Sequence, residues 1–254
     1  MHRLESEREH KDSLVKTIAR YSSSNIYRRL LGILNVLIKP KLLSPELYGL
    51  WNLINVIPRY AAYFHLGTHE TIRYAIPYHE ARNETEINAD IIGSVYYGTF
   101  FLYCFVALGV FLFAILRDLT LQVRIGLLTM SVVIILLGYV NYYTCLLKAY
   151  QKFKIITTAN YIYATISVFS GLILIYFFSI YGAYLTLVLC EIAAILYLRG
   201  KMPLPKHNKF KMHVFIPLVK KGFFIIAFGL CITLTRTCDR FIISYFLGYE
   251  QLGY

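Results

Sequence analysis

Residues 155–190 read IITTANYIYATISVFSGLILIYFFSIYGAYLTLVLC, and these 36 positions contain no Asp, Glu, Lys, Arg or His. A helix needs only about 20 apolar residues to cross the hydrocarbon core of a bilayer. The run therefore holds most of two crossings, with Ser179-Ile180-Tyr181-Gly182 as the tight turn between them. The second helix of the pair continues past Glu191 to Leu198. Two more charge-free runs cover residues 91–116 and 125–147. Three other segments are apolar but interrupted. In 20–42, Arg28 and Arg29 precede only nine uncharged residues, which rise about 14 Å, half the core. Segment 46–66 carries Pro58-Arg59 in its middle, and 216–247 carries TRTCDR with Arg236, Asp239 and Arg240. The expected fold class is all-α, a polytopic integral membrane protein of about seven transmembrane helices at 20–42, 46–66, 91–116, 125–147, 155–178, 182–198 and 217–247.

Composition agrees. The chain is 57% hydrophobic and 16% charged, where a soluble domain is about 45–50% apolar and about 25% charged. Its 23 tyrosines suit bilayer interfaces and polar cavities. The net charge of +12 would fit a nucleic-acid binder, but its distribution points elsewhere. With the N-terminus in the cytoplasm, segments 1–20, 70–90, 148–154 and 199–221 hold 5, 2, 3 and 7 Lys and Arg. The opposite loops hold only Lys39, Lys41, Arg117 and Arg124. That asymmetry follows the positive-inside rule and predicts a multi-pass protein of the cytoplasmic membrane with a cytoplasmic N-terminus. Segment 199–221 has no acid and is expected to lie on anionic headgroups, so membrane lipids are partners and nucleic acid is not. No apolar h-region follows the charged first twenty residues, so no cleavable signal peptide is expected. Cys104, Cys145, Cys190, Cys231 and Cys238 have no C-x-x-C spacing and read as small buried hydrophobes.

Residues 43–50, LSPELYGL, return near the end as LGYEQLGY, residues 247–254, with Leu, Glu and Gly at the first, fourth and seventh positions. Both copies follow an odd-numbered helix, as a parallel internal repeat requires. At this point the chain resembles a known family. LLSPELYGLWNLINVIPRYAAYFHLGTHETIRYAIP, residues 42–77, looks like the opening of polysaccharide-biosynthesis flippases of the multidrug/oligosaccharidyl-lipid/polysaccharide exporter superfamily. The shared features are the Leu-x-Pro-Glu-x-x-Gly phrase, Leu66-Gly67 and Arg73. DRFIISYFLGYEQLGY, residues 239–254, resembles that family's seventh helix. The resemblance implies a two-lobe fold of twelve to fourteen helices. Residues 1–19 would be a cytoplasmic segment, 20–198 the six-helix N-terminal lobe, 199–216 a basic cytoplasmic loop, and 217–254 helix 7 and the start of a second lobe. On that expectation the chain is a front half whose protein partners are a C-terminal half or other polysaccharide assembly proteins.

The resemblance implies flipping of a lipid-linked oligosaccharide for surface polysaccharides such as lipopolysaccharide O-antigen or exopolysaccharide. The substrate is then an oligosaccharide on a polyprenyl pyrophosphate, whose anionic head cannot cross about 30 Å of hydrocarbon unaided. The residues supply a match. Arg28, Arg29, Arg59, Arg236 and Arg240 fall within the spans. A charge at the bilayer centre costs roughly 2.5–3.5 kcal/mol on insertion scales and usually faces a cavity or a partner. Arg236 and Arg240 share a helix face, with Asp239 beside them, and Asn25 lies one turn before Arg29. Planar guanidinium groups bind pyrophosphate bidentately. These seven residues are the candidate substrate-binding set. Each has a structural alternative. Arg28 and Arg29 can snorkel to the interface, and Asp239 with Arg240 can form a pair between helices. Glu191 reads as interfacial, and His65, His69 and His79 as loop or interface residues. No Gly-rich phosphate loop and no zinc-protease His spacing occur, so no cofactor, metal or enzymatic activity is expected. The alternative functions are a multidrug or cation antiporter of the same superfamily, which calls for a carboxylate-rich cavity, and a membrane-embedded polysaccharide polymerase, which calls for large outer loops.

Overall fold

The computed structural model describes residues 2–202 and 208–253. Among them the only regular structure is helical: α1 (His2–Leu42), α2 (Pro45–Ile54), α3 (Ile57–Ala61), α4 (Thr68–Glu80), α5 (Thr85–Leu116), α6 (Leu121–Ala149), α7 (Phe153–Lys201), α8 (Met212–Phe246) and α9 (Gly248–Gly253). Helices α5, α6, α7 and α8 are each long and apolar enough to cross a membrane. Their outer surfaces carry large side chains such as Leu116 and Phe224, 78% and 79% exposed. Apolar exteriors of this kind are stable where lipid, not water, is the solvent.

Helix α7 is a hairpin. Ser179 alone leaves helical geometry (φ 52°, ψ −131°). Beyond it the chain doubles back, so that the Cys190 thiol reaches the Tyr163 carbonyl at 3.9 Å. The turn expected at 179–182 is therefore present. Helix α1 lies parallel to the first arm of this hairpin. Ser23 bonds Tyr161 at 3.0 Å, Tyr27 bonds Thr165 at 3.2 Å and Asn35 donates to Ser167 at 3.3 Å. Both sets of numbers rise together. The helix also runs back through the charged N-terminal residues to His2.

The second segment departs from expectation. Instead of one helix over 46–66, the chain forms α2 and α3, then a stretch of turns over 62–67, and then α4. Pro58 is one reason. It has no N–H, and its ring would collide with the carbonyl of Ile54, where α2 ends. The second break uses left-handed residues, Leu66 at φ 49° and Gly67 at φ 86°. Helix α4 falls mostly within 70–90, a segment placed outside the expected spans on the cytoplasmic side. It folds because Thr68, Ile72 and Ile76 repeat every fourth residue and are buried together. Ile54 lies by Gly126 of α6, and the His69 carbonyl accepts from Cys145 of α6. The segment from α2 to α4 therefore runs the length of α6. Helices α5, α6 and α8 begin several residues before their apolar runs.

Three buried clusters hold the bundle together. One joins α4, α5, α6 and the end of α7 through Ile72, Val95, Leu146 and Leu198. A second joins α2, α6 and the α7 turn through Trp51, Met130 and Tyr184. A third lies between them, around Tyr103 and Ile134. Cys145 and Cys190 are buried, but Cys231 and Cys238 are exposed on α8, contrary to the reading of all five as buried. Lipid-facing positions accept a small apolar thiol as readily as a core does.

Helix α8 runs antiparallel to the α2–α4 segment and touches it at two glycines. A Cβ on Gly222 would lie 2.2 Å from the Gly67 carbonyl oxygen. At its far end the two copies of the repeated phrase meet. A Cβ on Gly49 would stand 1.8 Å from the Tyr249 carbonyl oxygen, and one on Gly253 would stand 1.8 Å from that of Pro45.

Candidate functional site

Breaking a helix inside a bundle frees backbone groups that must find partners. Here backbone and side-chain donors together supply them: the His65 and Gly67 carbonyls also accept backbone N–H bonds, while that of Ala62 relies on a side chain. Tyr103 donates to the Ala62 carbonyl at 3.3 Å, Thr68 to that of His65 at 2.7 Å, and Thr71 to that of Gly67 at 3.1 Å. The unwound stretch is therefore a built feature.

Helix α8 is seated on that stretch through a polar ladder. The Tyr63 hydroxyl donates to the Gly229 carbonyl at 3.0 Å and bonds Thr233. Tyr60 bonds Thr237, and the Arg240 guanidinium donates to the Asn52 carbonyl at 3.3 Å. This ladder brings Arg59 of α3 close enough to Arg240 for their like charges to interact. Arg236 lies one turn away on α8, exposed. Asp239 forms no side-chain ion pair with them among the described residues; its Oδ1 accepts from the Arg240 backbone N–H at 2.8 Å. The ion pairs among the described residues are Arg73–Glu70, His79–Glu84 and Lys211–Asp90. None involves a candidate arginine. Like charges on neighbouring guanidinium groups repel one another and favour a polyanion that bridges them.

Asn25 and Arg28 form a separate group on α1 that faces α7. Arg28 donates to Asn160 at 3.5 Å and lies over the Tyr163 ring, 4.6 Å from its centroid. The Asn160 amide donates to Asn25 at 3.5 Å. Arg29 is exposed. Of the seven candidates, Arg59, Arg236, Asp239 and Arg240 gather at α3–α8, Asn25 and Arg28 at α1–α7, and Arg29 stands apart.

Other polar residues emerge only in three dimensions. Glu191, read as interfacial, is 5% exposed and lies between the α7 arms. His69, read as a loop or interface residue, is buried and stacks on His65 with ring centroids 4.3 Å apart. Gly67 N–H donates to His65 Nδ1 at 3.2 Å, so Nε2 carries the proton of the neutral ring. Both rings line a 280 Å³ pocket with Arg73, Asn141 and Lys148. A larger apolar cleft of 740 Å³ opens beside the Arg59–Arg240 seam, lined by Leu50, Ile57, Phe64, Phe113 and Phe241. Near the start of α5, Asp90 accepts from Asn208 at 2.6 Å and from Lys211 at 2.7 Å. These bonds hold its carboxyl below the usual carboxylate range and pin the basic segment before α8 onto α5.

A family model described as polysaccharide biosynthesis protein matches residues 14–254. No curated protein and no solved structure matches the chain.

Proposed function

The chain belongs to the polysaccharide biosynthesis protein family, and from that premise we propose that it flips lipid-linked oligosaccharide repeat units across the cytoplasmic membrane for surface polysaccharide assembly. Membership and the apolar helices place it in a membrane and in polysaccharide biosynthesis. The observation that carries the finer reading is the seam of Arg59, Arg236 and Arg240, at the break between α2 and α4 and without an ion-paired carboxylate. Broken helices at mid-bundle commonly form transporter sites. The neighbouring apolar cleft is suited to the prenyl tail of the same substrate. The charge asymmetry supports a cytoplasmic N-terminus. The reciprocal contact of the repeated phrases supports a two-lobe assembly. The protein on this reading is a carrier and not an enzyme. The connections 117–120 and 43–44 are too short to hold a polymerase site.

The test is reconstitution into proteoliposomes with a fluorescent oligosaccharide on a polyprenyl pyrophosphate, scored by exposure of the sugar on the opposite leaflet. A charge-assisted hydrogen bond is worth about 1.5–3 kcal/mol. Arg59→Ala, Arg236→Ala and Arg240→Ala are each expected to lower the rate by roughly 10- to 100-fold, with Trp51 emission unchanged. Unaltered flipping in all three variants refutes the proposal. Ion-driven efflux of organic cations without flipping would instead favour the antiporter.

A further inference from the structure

Glu191 occupies the second arm of α7, 5% exposed, and its Oε2 has no hydrogen-bond partner. The Tyr163 hydroxyl, on the first arm, is near enough to act on the carboxyl. From α1, Arg28 is near enough for its charge to act on Glu191. Yet no ion pair joins them, because the guanidinium lies on the Tyr163 ring and reaches Asn160. The remaining titratable neighbours are Cys190, beside Glu191, and Lys39 of α1, whose charge acts on that thiol.

An ionised carboxylate inside a bundle is strongly unfavourable unless it is paired and hydrogen-bonded. Two arrangements remove that cost. In one, Arg28 swings onto Glu191 and pairs with it. In the other, Oε2 carries a proton and Arg28 stays on Tyr163 and Asn160, as observed. We infer that Glu191 binds and releases a proton inside the bundle, with Arg28 moving between the Tyr163–Asn160 face and the carboxylate in step. The exchange balances. Oε2 takes one proton from water, the Arg28–Glu191 pair separates, and the net charge of the two groups rises from zero to plus one. Arg28 is rooted in α1, and α1 is bonded to α7 from Ser23 to Asn35. Proton exchange therefore bears directly on how these two elements sit together. That this couples a proton gradient to flipping rests on the reading above; proton binding itself does not.

The test is infrared difference spectroscopy of the full chain in lipid nanodiscs, without substrate, as pH is stepped. The wild type is expected to show the C=O stretch of one protonated carboxyl per chain beyond what Glu191→Gln shows, lost as pH rises. Glu191→Gln keeps the shape of the side chain, so its Trp51 emission should match wild type. In Arg28→Ala the band is expected to persist at alkaline pH, where the wild type has lost it. Identical spectra for wild type and Glu191→Gln overturn the inference. So does loss of the band at fixed pH on adding Na⁺ but not K⁺, which would make this a cation site. Because no substrate is present, failure of flipping leaves this result standing.

Discussion

Gly222→Ala is the sharpest test of how α8 is seated. Gly222 lies inside α8, where alanine is intrinsically better than glycine by about 1 kcal/mol. Its Cβ, however, would lie 2.2 Å from the Gly67 carbonyl oxygen and 2.5 Å from two further Gly67 atoms. All three are backbone atoms and no rotamer change moves them. Ordinary contact needs about 3.5 Å, so α8 and α4 must part by more than 1 Å. That displacement strains two adjacent hydrogen bonds, Thr71 to the Leu218 carbonyl at 2.9 Å and Tyr63 to that of Gly229 at 3.0 Å. Overpacking costs about 1–3 kcal/mol, and a weakened hydrogen bond about 1 kcal/mol. Less the helix gain, the net loss is about 2 kcal/mol. Gly109 is the control: it is also inside a helix, but nothing lies within 4 Å of its added Cβ. Gly109→Ala should therefore stabilise by up to about 1 kcal/mol. The assay is unfolding in mixed micelles of rising SDS fraction, read by Trp51, the single tryptophan, 3% exposed. Opposite shifts of the midpoint are expected. A Gly222→Ala midpoint at or above wild type refutes the close seating of α8 on the broken segment.

Tyr103→Phe removes the donor to the Ala62 carbonyl and should destabilise by about 1–3 kcal/mol in the same assay, because that carbonyl is left without its partner. Acid should loosen the segment before α8. The Asp90 carboxyl is held below its ordinary range in the fold. Its stabilising contribution is therefore complete above the unfolded value and is lost as pH falls through the lower, folded one. Exchange of the Asn208 amide, bonded to the Ala89 carbonyl at 3.0 Å, should speed up there relative to its intrinsic rate. Asp90→Asn should show the faster exchange already at neutral pH.

Length and absence of charge made α5, α6 and the α7 hairpin legible from the sequence, because a bilayer demands both and soluble folds rarely combine them, while α8 was read from its length despite its charges. Ser179 to Gly182 was legible as a turn because no single crossing can hold 36 residues. Helix α4 was not legible, because its buried face is narrow and its exposed face carries Arg73, Tyr74 and Tyr78. The unwinding after Ala61 escaped notice because its enabling partners, Tyr103 and Cys145, lie about 40 and 76 positions away. Arginines could be picked out singly, since each is costly in a span. Their grouping could not, since Arg59 meets Arg240 only through an antiparallel packing of α8 on α3. Glu191 was misjudged for the same reason: local sequence places it near the end of an apolar run, and only the α7 hairpin carries it against Tyr163.

The repeated phrase shows what such a nonlocal contact demands of sequence. Position seven of each copy is a glycine, Gly49 and Gly253, and each sits on the position-three carbonyl of the other copy, Tyr249 and Pro45. Exchanging the two copies leaves this pair of contacts unchanged, as in an isologous interface. A side chain at either glycine would push the backbones apart, so neither copy can vary at that position without changing the fit of the other. The other shared residues have local uses. Leu43 joins the cluster around Trp51, and Glu46 lies in the first turn of α2, where a negative charge complements the helix dipole. Glu250 holds the equivalent first-turn position in α9. Three identities among eight positions are weak as a statistical signal. As a packing requirement they are economical, because a two-fold contact between short helices needs only a glycine at the crossing, an acid at the start and an apolar residue just before it.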